Sequence, residues 1–205
     1  MNVCLYWTQE KSRVRFKEFA ASMKRKRASG SKPGMGTFHF LDRTRVDLSP
    51  SVTVLGCTLW SHVPPESSDA VLAGLNDFMQ VKDWSVQQYN EAHNGDVKWL
   101  ADEIARLENE PERRVVIFTH HAPAYDGTSD PRHKGSPISP GFATEIPLKK
   151  EIWNPQIVKA WAFGHTHYNC DFVKDGIRIV ANQRGYEFNN EPKKGGFRDD
   201  FILNV

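Results

Sequence analysis

The sequence predicts an α/β fold, and three observations carry that prediction. A helical stretch over residues 84–108 is followed almost at once by a short apolar strand, Arg114-Val115-Val116-Ile117-Phe118-Thr119. Two other segments, SVTVLGCTLW (51–60) and KAWAF (159–163), are apolar, short and rich in strand-forming residues. A helix running directly into a buried strand is the succession that builds a sheet with crossover helices.

Each element has its own justification. Residues 8–27 read as a helix because Phe16, Phe19, Ala20 and Met23 recur at three- and four-residue spacing. The helix ends in Lys24-Arg25-Lys26-Arg27, before Ser29-Gly30-Ser31-Lys32-Pro33-Gly34. Such a run can be a nuclear signal or a phosphate patch. Cations suit a helix C-terminus, so a solvated helix end is the expectation here. Strands are expected at 37–41 and 51–60, and a loop with a short helix at 61–82. Within 84–108, Val97, Leu100, Ala101, Ile104 and Leu107 share one face, and Pro111 closes the stretch. Residues 120–148 are dense in Pro, Gly and Ser and show no period, which in a compact domain marks a functional or disordered loop. The segments 169–173 and 177–181 flank Asp175-Gly176, a strong hairpin signal. Phe201-Ile202-Leu203 is expected to be a last strand. No internal repeat and no second domain stand out, so residues 1–205 are expected to be a single domain.

Composition narrows the class. The chain has 205 residues, 39% hydrophobic and 25% charged, with 12 Phe and 6 Trp. That is enough apolar material for a core and argues against disorder. With 27 basic and 25 acidic residues the net charge is only +2, so no general attraction to nucleic acid or membrane is implied. Cys4, Cys57 and Cys170 are odd in number, widely spaced and set among apolar residues, which suits small buried hydrophobes in a reducing compartment. No stretch approaches a transmembrane span, and the start MNVCLYWTQEK has no signal-peptide pattern. A cytoplasmic location is the expectation.

Four of the eight histidines follow apolar strands: His120 and His121 after Thr119, His165 and His167 after Phe163-Gly164. Ligands in open α/β sheets bind beyond the carboxyl ends of strands. In extended chain two residues spaced i, i+2 point to one side, so His165 and His167 could share one ion or serve two adjacent ones. A single such histidine would simply start a surface loop. Two pairs at two strand ends point instead to a metal site.

The segments VVIFTHHAP (115–123) and WAFGHTHYNCDF (161–172) resemble the last two metal-binding motifs of the calcineurin-like metallophosphoesterases. Arg178, the run Asn182-Gln183-Arg184-Gly185-Tyr186, Thr58-Leu59-Trp60-Ser61 and Asn76-Asp77-Phe78 are similar to a soluble subfamily of the same group. The resemblance implies a four-layer α/β/β/α sandwich with two divalent ions, such as Mn, Fe or Zn, at the strand ends. It makes His120 and His165 ligands of one metal and His167 a ligand of the other. His121 is expected to face substrate or to pack, and Arg184 to contact phosphate or to serve structure. In the loop 123–147, Arg132, His133 and Lys134 could meet phosphate, a solvated loop tip being their plainer role. The implied reaction is hydrolysis of a phosphate mono- or diester on a phosphorylated small molecule or phosphoprotein.

The family's earlier motifs, Asp-x-His, Gly-Asp-x-x-Asp and Gly-Asn-His, have no counterpart in the chain. Gly95-Asp96 falls in a helical stretch with Trp99 where the second Asp should stand, and Asp130 and His133 are one residue too far apart. Two divalent ions roughly 3.5–4 Å apart need a bridging anion. Three neutral imidazoles supply none and would keep at most one ion, weakly. The expectation is therefore a partial metallophosphoesterase domain, incomplete at the N-terminus and truncated or inactive. The alternatives are a non-catalytic binding or scaffold protein with the same fold and a mononuclear zinc hydrolase. With no acid placed by spacing, no catalytic residue is assigned.

Overall fold

The computed structural model describes residues 7–30, 34–110, 112–147, 151–185 and 196–205. It opens with α1 (Gln9–Ala28), capped by the Thr8 hydroxyl, which accepts from the Lys11 N–H. Two strands follow, β1 (Thr44–Ser49) and β2 (Val52–Cys57), then short helices α2 (Ser68–Gly74) and α3 (Asn76–Gln80). The long helix α4 (Val86–Leu107) starts at a capping box in which Ser85 and Gln88 satisfy each other's backbone N–H. The remaining strands are β3 (Arg114–Thr119), β4 (Val158–Ala162), β5 (Cys170–Lys174) and β6 (Ile177–Ala181).

The six strands form one mixed sheet in the order β1-β2-β3-β4-β6-β5. The central strands β2, β3, β4 and β6 are parallel, and β1 and β5 run antiparallel at the two edges. The α/β class is thus as the sequence predicts. The Asp175-Gly176 hairpin forms as expected: Lys174 pairs with Ile177, and both turn residues have positive φ, +46° and +83°.

One face of the sheet is sealed. Leu55, Ile117, Trp161 and Ile179 project from neighbouring strands and pack with Leu100, Ile104 and Leu107 of α4. The buried stripe of α4 continues toward its N-terminus as Tyr89, His93 and Asp96, which replace apolar residues with polar ones near the carboxyl ends of β2 and β3. On the opposite face Val54, Val116 and Val180 are buried, but Phe118 is 39% exposed.

Two expected strands are corrected. Residues 37–41 are irregular, because Phe40 stacks on Phe16 and Phe38 meets Phe19 edge-on, which ties the segment to α1 instead of to a neighbouring strand. The strand falls later, in β1, whose sequence TRVDLS carries no apolar run. Phe201-Ile202-Leu203 is also not a strand; its neighbourhood is held at its two ends, Asn182 to Arg198 and Arg114 to the Val205 carbonyl. Pro111, Cys4 and Tyr186 lie outside the described residues.

Candidate metal centre

The carboxyl ends of β2, β3 and β4 converge, and the backbone there is held in unusual conformations. After β2 both Leu59 and Trp60 adopt positive φ, +69° and +47°, a costly arrangement for two bulky residues. The Leu59 carbonyl accepts from buried His93 on α4 at 2.9 Å, and the Trp60 ring lies between Trp84, Tyr89 and His121. After β3 the chain bends so sharply that the N–H groups of both His120 and His121 donate to the Thr58 carbonyl. That bend brings two consecutive imidazoles to the same region. After β4, Gly164 donates to the His120 carbonyl, and a Cβ at Gly164 would come within 3.5 Å of the His120 ring.

Nitrogens of His120, His121 and His165 all lie within 4.8 Å of one another. The ring centroids are 4.6 Å apart for His120 and His165 and 4.2 Å for His121 and His165. His121 is fully enclosed; its Nδ1 meets the Ser61 hydroxyl at 2.9 Å and the Tyr89 hydroxyl at 3.4 Å, while its buried Nε2 has no partner. The Nε2 of His165 is likewise buried and unpartnered, while the Gly141 backbone lies close enough to the ring to favour its protonated form. The Gly141 carbonyl accepts from the Tyr89 hydroxyl at 2.6 Å. Fixing one ring nitrogen by a hydrogen bond and leaving the other bare is how proteins prepare histidine to bind a metal. A Cβ at Gly141 would press to 2.6 Å on the buried Leu75 side chain, which would have to move aside for any larger residue.

Electrostatics keep the rings neutral. Burial and then the His165 ring bring the His120 pKa down to about 4, with Asp77 working the other way. Burial also brings His165 to about 4 and pushes fully enclosed His121 well below its usual value. Neutral imidazole is the form that ligates a cation. Asp77 on α3 is the carboxyl that His120 feels; burial raises its pKa and His120 opposes that. Among the described residues no carboxylate joins the three imidazoles.

The structure thus groups His121, expected to face substrate, with His120 and His165. His167 lies outside that group because His165 and His167 both have positive φ, +66° and +53°, so the i, i+2 rule for extended chain does not apply. His167 is exposed, its N–H donates to the Gln183 Oε1 at 2.9 Å, and it lies near enough to His165 to depress that ring's pKa. Gln183 and Asn169 clasp the turn through the Gln183 amide to Thr166 and Tyr168 and the Asn169 amide to the Gln183 carbonyl. Arg184 follows directly and is exposed. Arg132 is paired with Asp130, whereas His133 lines a cavity of about 120 Å³ with Ser136, Ile138 and Phe142. The Phe142 ring stacks on His165 at 4.6 Å, so this cavity shares a wall with the histidine group.

Sequence reasoning missed Ser61, Tyr89 and Gly141. A signal existed for two of them: Ser61 lies at the carboxyl end of a strand, and Tyr89 extends the buried face of α4 at seven residues from Asp96. Gly95-Asp96 lies within α4, where Gly95 leaves room for the Arg43 guanidinium. Cys57 is buried and Cys170 partly so, with burial raising the Cys170 thiol to about 12, which leaves neither reactive.

In a 145-position match that covers 66% of its length, the chain is 30% identical to an uncharacterized protein of Acanthamoeba polyphaga mimivirus. The match covers 50% of that relative, so the chain spans about half the length of the curated protein it matches. No known family profile and no solved structure matches the chain. No helix among the described residues is long and apolar enough to cross a membrane.

Proposed function

We propose that the chain carries the histidine side of a metal-dependent phosphoesterase site, within a sheet that belongs to a calcineurin-like sandwich. The observation that supports this is the group His120, His121 and His165, with two buried Nε2 atoms that have no protein partner. An unsatisfied buried polar atom is costly, and a cation held by the group would relieve it. The donor set is three neutral nitrogens, which suits Zn²⁺ and leaves a coordination position open. When bound, such an ion supplies charge neutralisation and water activation for attack on phosphorus.

The chain's own residues then have separate tasks. Ser61 and Tyr89 fix the His121 ring, and the stacked Phe142 ring holds His165. Trp60 and Phe142 exclude water from two sides. Arg184 and His167 are both exposed, and in this reading Arg184 would contact an approaching phosphate ester and His167 would be the ligand for a second ion. Asp77, the carboxyl that His120 feels, is the candidate to hold or move a proton.

The test is to load the chain with Zn²⁺ or Mn²⁺, count bound ions, and assay p-nitrophenyl phosphate and its bis ester. One ion per chain, lost in His165→Ala, together with metal-dependent release of p-nitrophenol supports the reading. A second reading, a non-catalytic binding protein, is favoured by the lack of a carboxylate in the group. It predicts bound metal without turnover, or no bound metal at all.

A further inference from the structure

A second feature lies away from the histidines, on α1. This helix holds eight of the chain's 27 Lys and Arg but only two of its 25 Asp and Glu, so it carries +6 while the rest of the chain carries −4. A solvated basic helix end needs no cavity beside it. Here, however, a groove of about 550 Å³ runs between α1 and residues 36–44. That volume falls in the range of small-molecule sites, roughly 300–1,000 Å³.

The two sides of the groove differ in chemistry. Its floor and far wall are apolar, formed by Ala20, Ala21, Met23, Phe38 and Phe40. Phe40 is braced by its stack on Phe16, and Phe38 by its edge contact with Phe19, so the wall is held in place. Phe38 is nonetheless 40% exposed and Phe19 51%, unusual for aromatic side chains at the mouth of a polar helix. The near lip carries Lys17, Lys24 and Arg27. No ion pair neutralises any of these three among the described residues, although Arg27 donates to the Thr37 hydroxyl. The one acid on the wall, Asp42, is already engaged by Arg13 at 2.9 Å.

We propose that this groove binds a single-chain alkyl phosphate, its doubly charged head held by Lys17, Lys24 and Arg27 and its chain laid along Ala20, Ala21, Met23 and Phe38. Three cations with no ion pair among the described residues match a phosphate monoester more closely than a singly charged carboxylate. Ala20, Ala21 and Met23 offer an aliphatic lining with no stacking face, which suits a flexible alkyl chain better than a nucleobase. The site is independent of the histidine group and does not depend on the function proposed above.

Isothermal titration of the 205-residue chain with dodecyl phosphate, kept below its micelle concentration, tests the inference directly. Saturable binding of one molecule per chain is expected, with inorganic phosphate at least tenfold weaker. The double variant Lys17→Glu, Lys24→Glu should weaken binding at least tenfold, and Ala21→Trp, which fills an exposed part of the groove, should abolish it. His165→Ala should leave it unchanged. Circular dichroism melts of the variants establish that each remains folded. Equal binding of dodecyltrimethylammonium, equal binding of inorganic phosphate, displacement by a single-stranded oligonucleotide, or unaltered binding by Ala21→Trp would each overturn the proposal.

Discussion

Two polar clusters lie against the same left-handed turn at Leu59-Trp60, and they differ in how their buried groups are matched. On one side Arg43 donates to Asp96 at 2.6 Å, and His93 donates to the Leu59 carbonyl. One Asp96 oxygen has no partner, yet its charge is met by a guanidinium. On the other side His120, His121 and His165 crowd together with no acid among them and two nitrogens bare. The first cluster is accounted for by the fold it braces. The second is a group that could hold a metal ion, with two buried nitrogens that no described residue answers.

The contrast predicts that the first cluster governs stability and the second governs binding. Arg43→Ala strands the Asp96 carboxylate, which is 1% exposed, and should cost about 3 kcal/mol in urea denaturation. A loss under about 1 kcal/mol would mean the pair is not desolvated. Acid should act on the second cluster. The His120 and His165 values lie near 4 in the folded chain against 6.5 for a free imidazole, so the unfolded chain takes up protons first as pH falls. Their stability contribution is therefore complete above about pH 6.5 and lost progressively down to about pH 4. Urea midpoints across that range should drop in the native chain and flatten in the double variant His120→Ala, His165→Ala.

Smaller effects separate ligands from their supports. His121→Ala should weaken Zn²⁺ binding about a hundredfold while changing the metal-free midpoint little, because it also removes a bare buried nitrogen. If the metal-free protein unfolds instead, His121 belongs with the structural cluster. Ser61→Ala removes only the hydroxyl that orients His121 and should weaken Zn²⁺ about tenfold. Competition against a chromophoric chelator reads both.

The legible parts of the fold were those with a local cause. Asp175-Gly176 demands its hairpin, the α4 stripe demands a sheet to cover, and the strand Arg114–Thr119 carries its burial in its own residues. β1 was not legible, because TRVDLS at a sheet edge lacks the apolar run that marks a buried strand. Residues 37–41 have the opposite character, two Phe whose partners on α1 could not be known from spacing. The site divides in the same way. Histidines at strand ends were readable from position, but which of them converge depends on backbone signs at Leu59, His165 and His167 that side-chain chemistry does not encode. The carbonyl of Gly141 enters through tertiary contact alone.

Phe142 has a consequence of its own. One face of its ring lies on His165, and it also forms part of the wall of the cavity that His133 and Ile138 help to line. A molecule entering that cavity and an ion settling on the histidines must therefore both accommodate one shared ring. Whatever factor the ion contributes to the affinity of the molecule, the molecule returns to the ion in equal measure. A single phenyl side chain would be the point at which the two occupancies are linked.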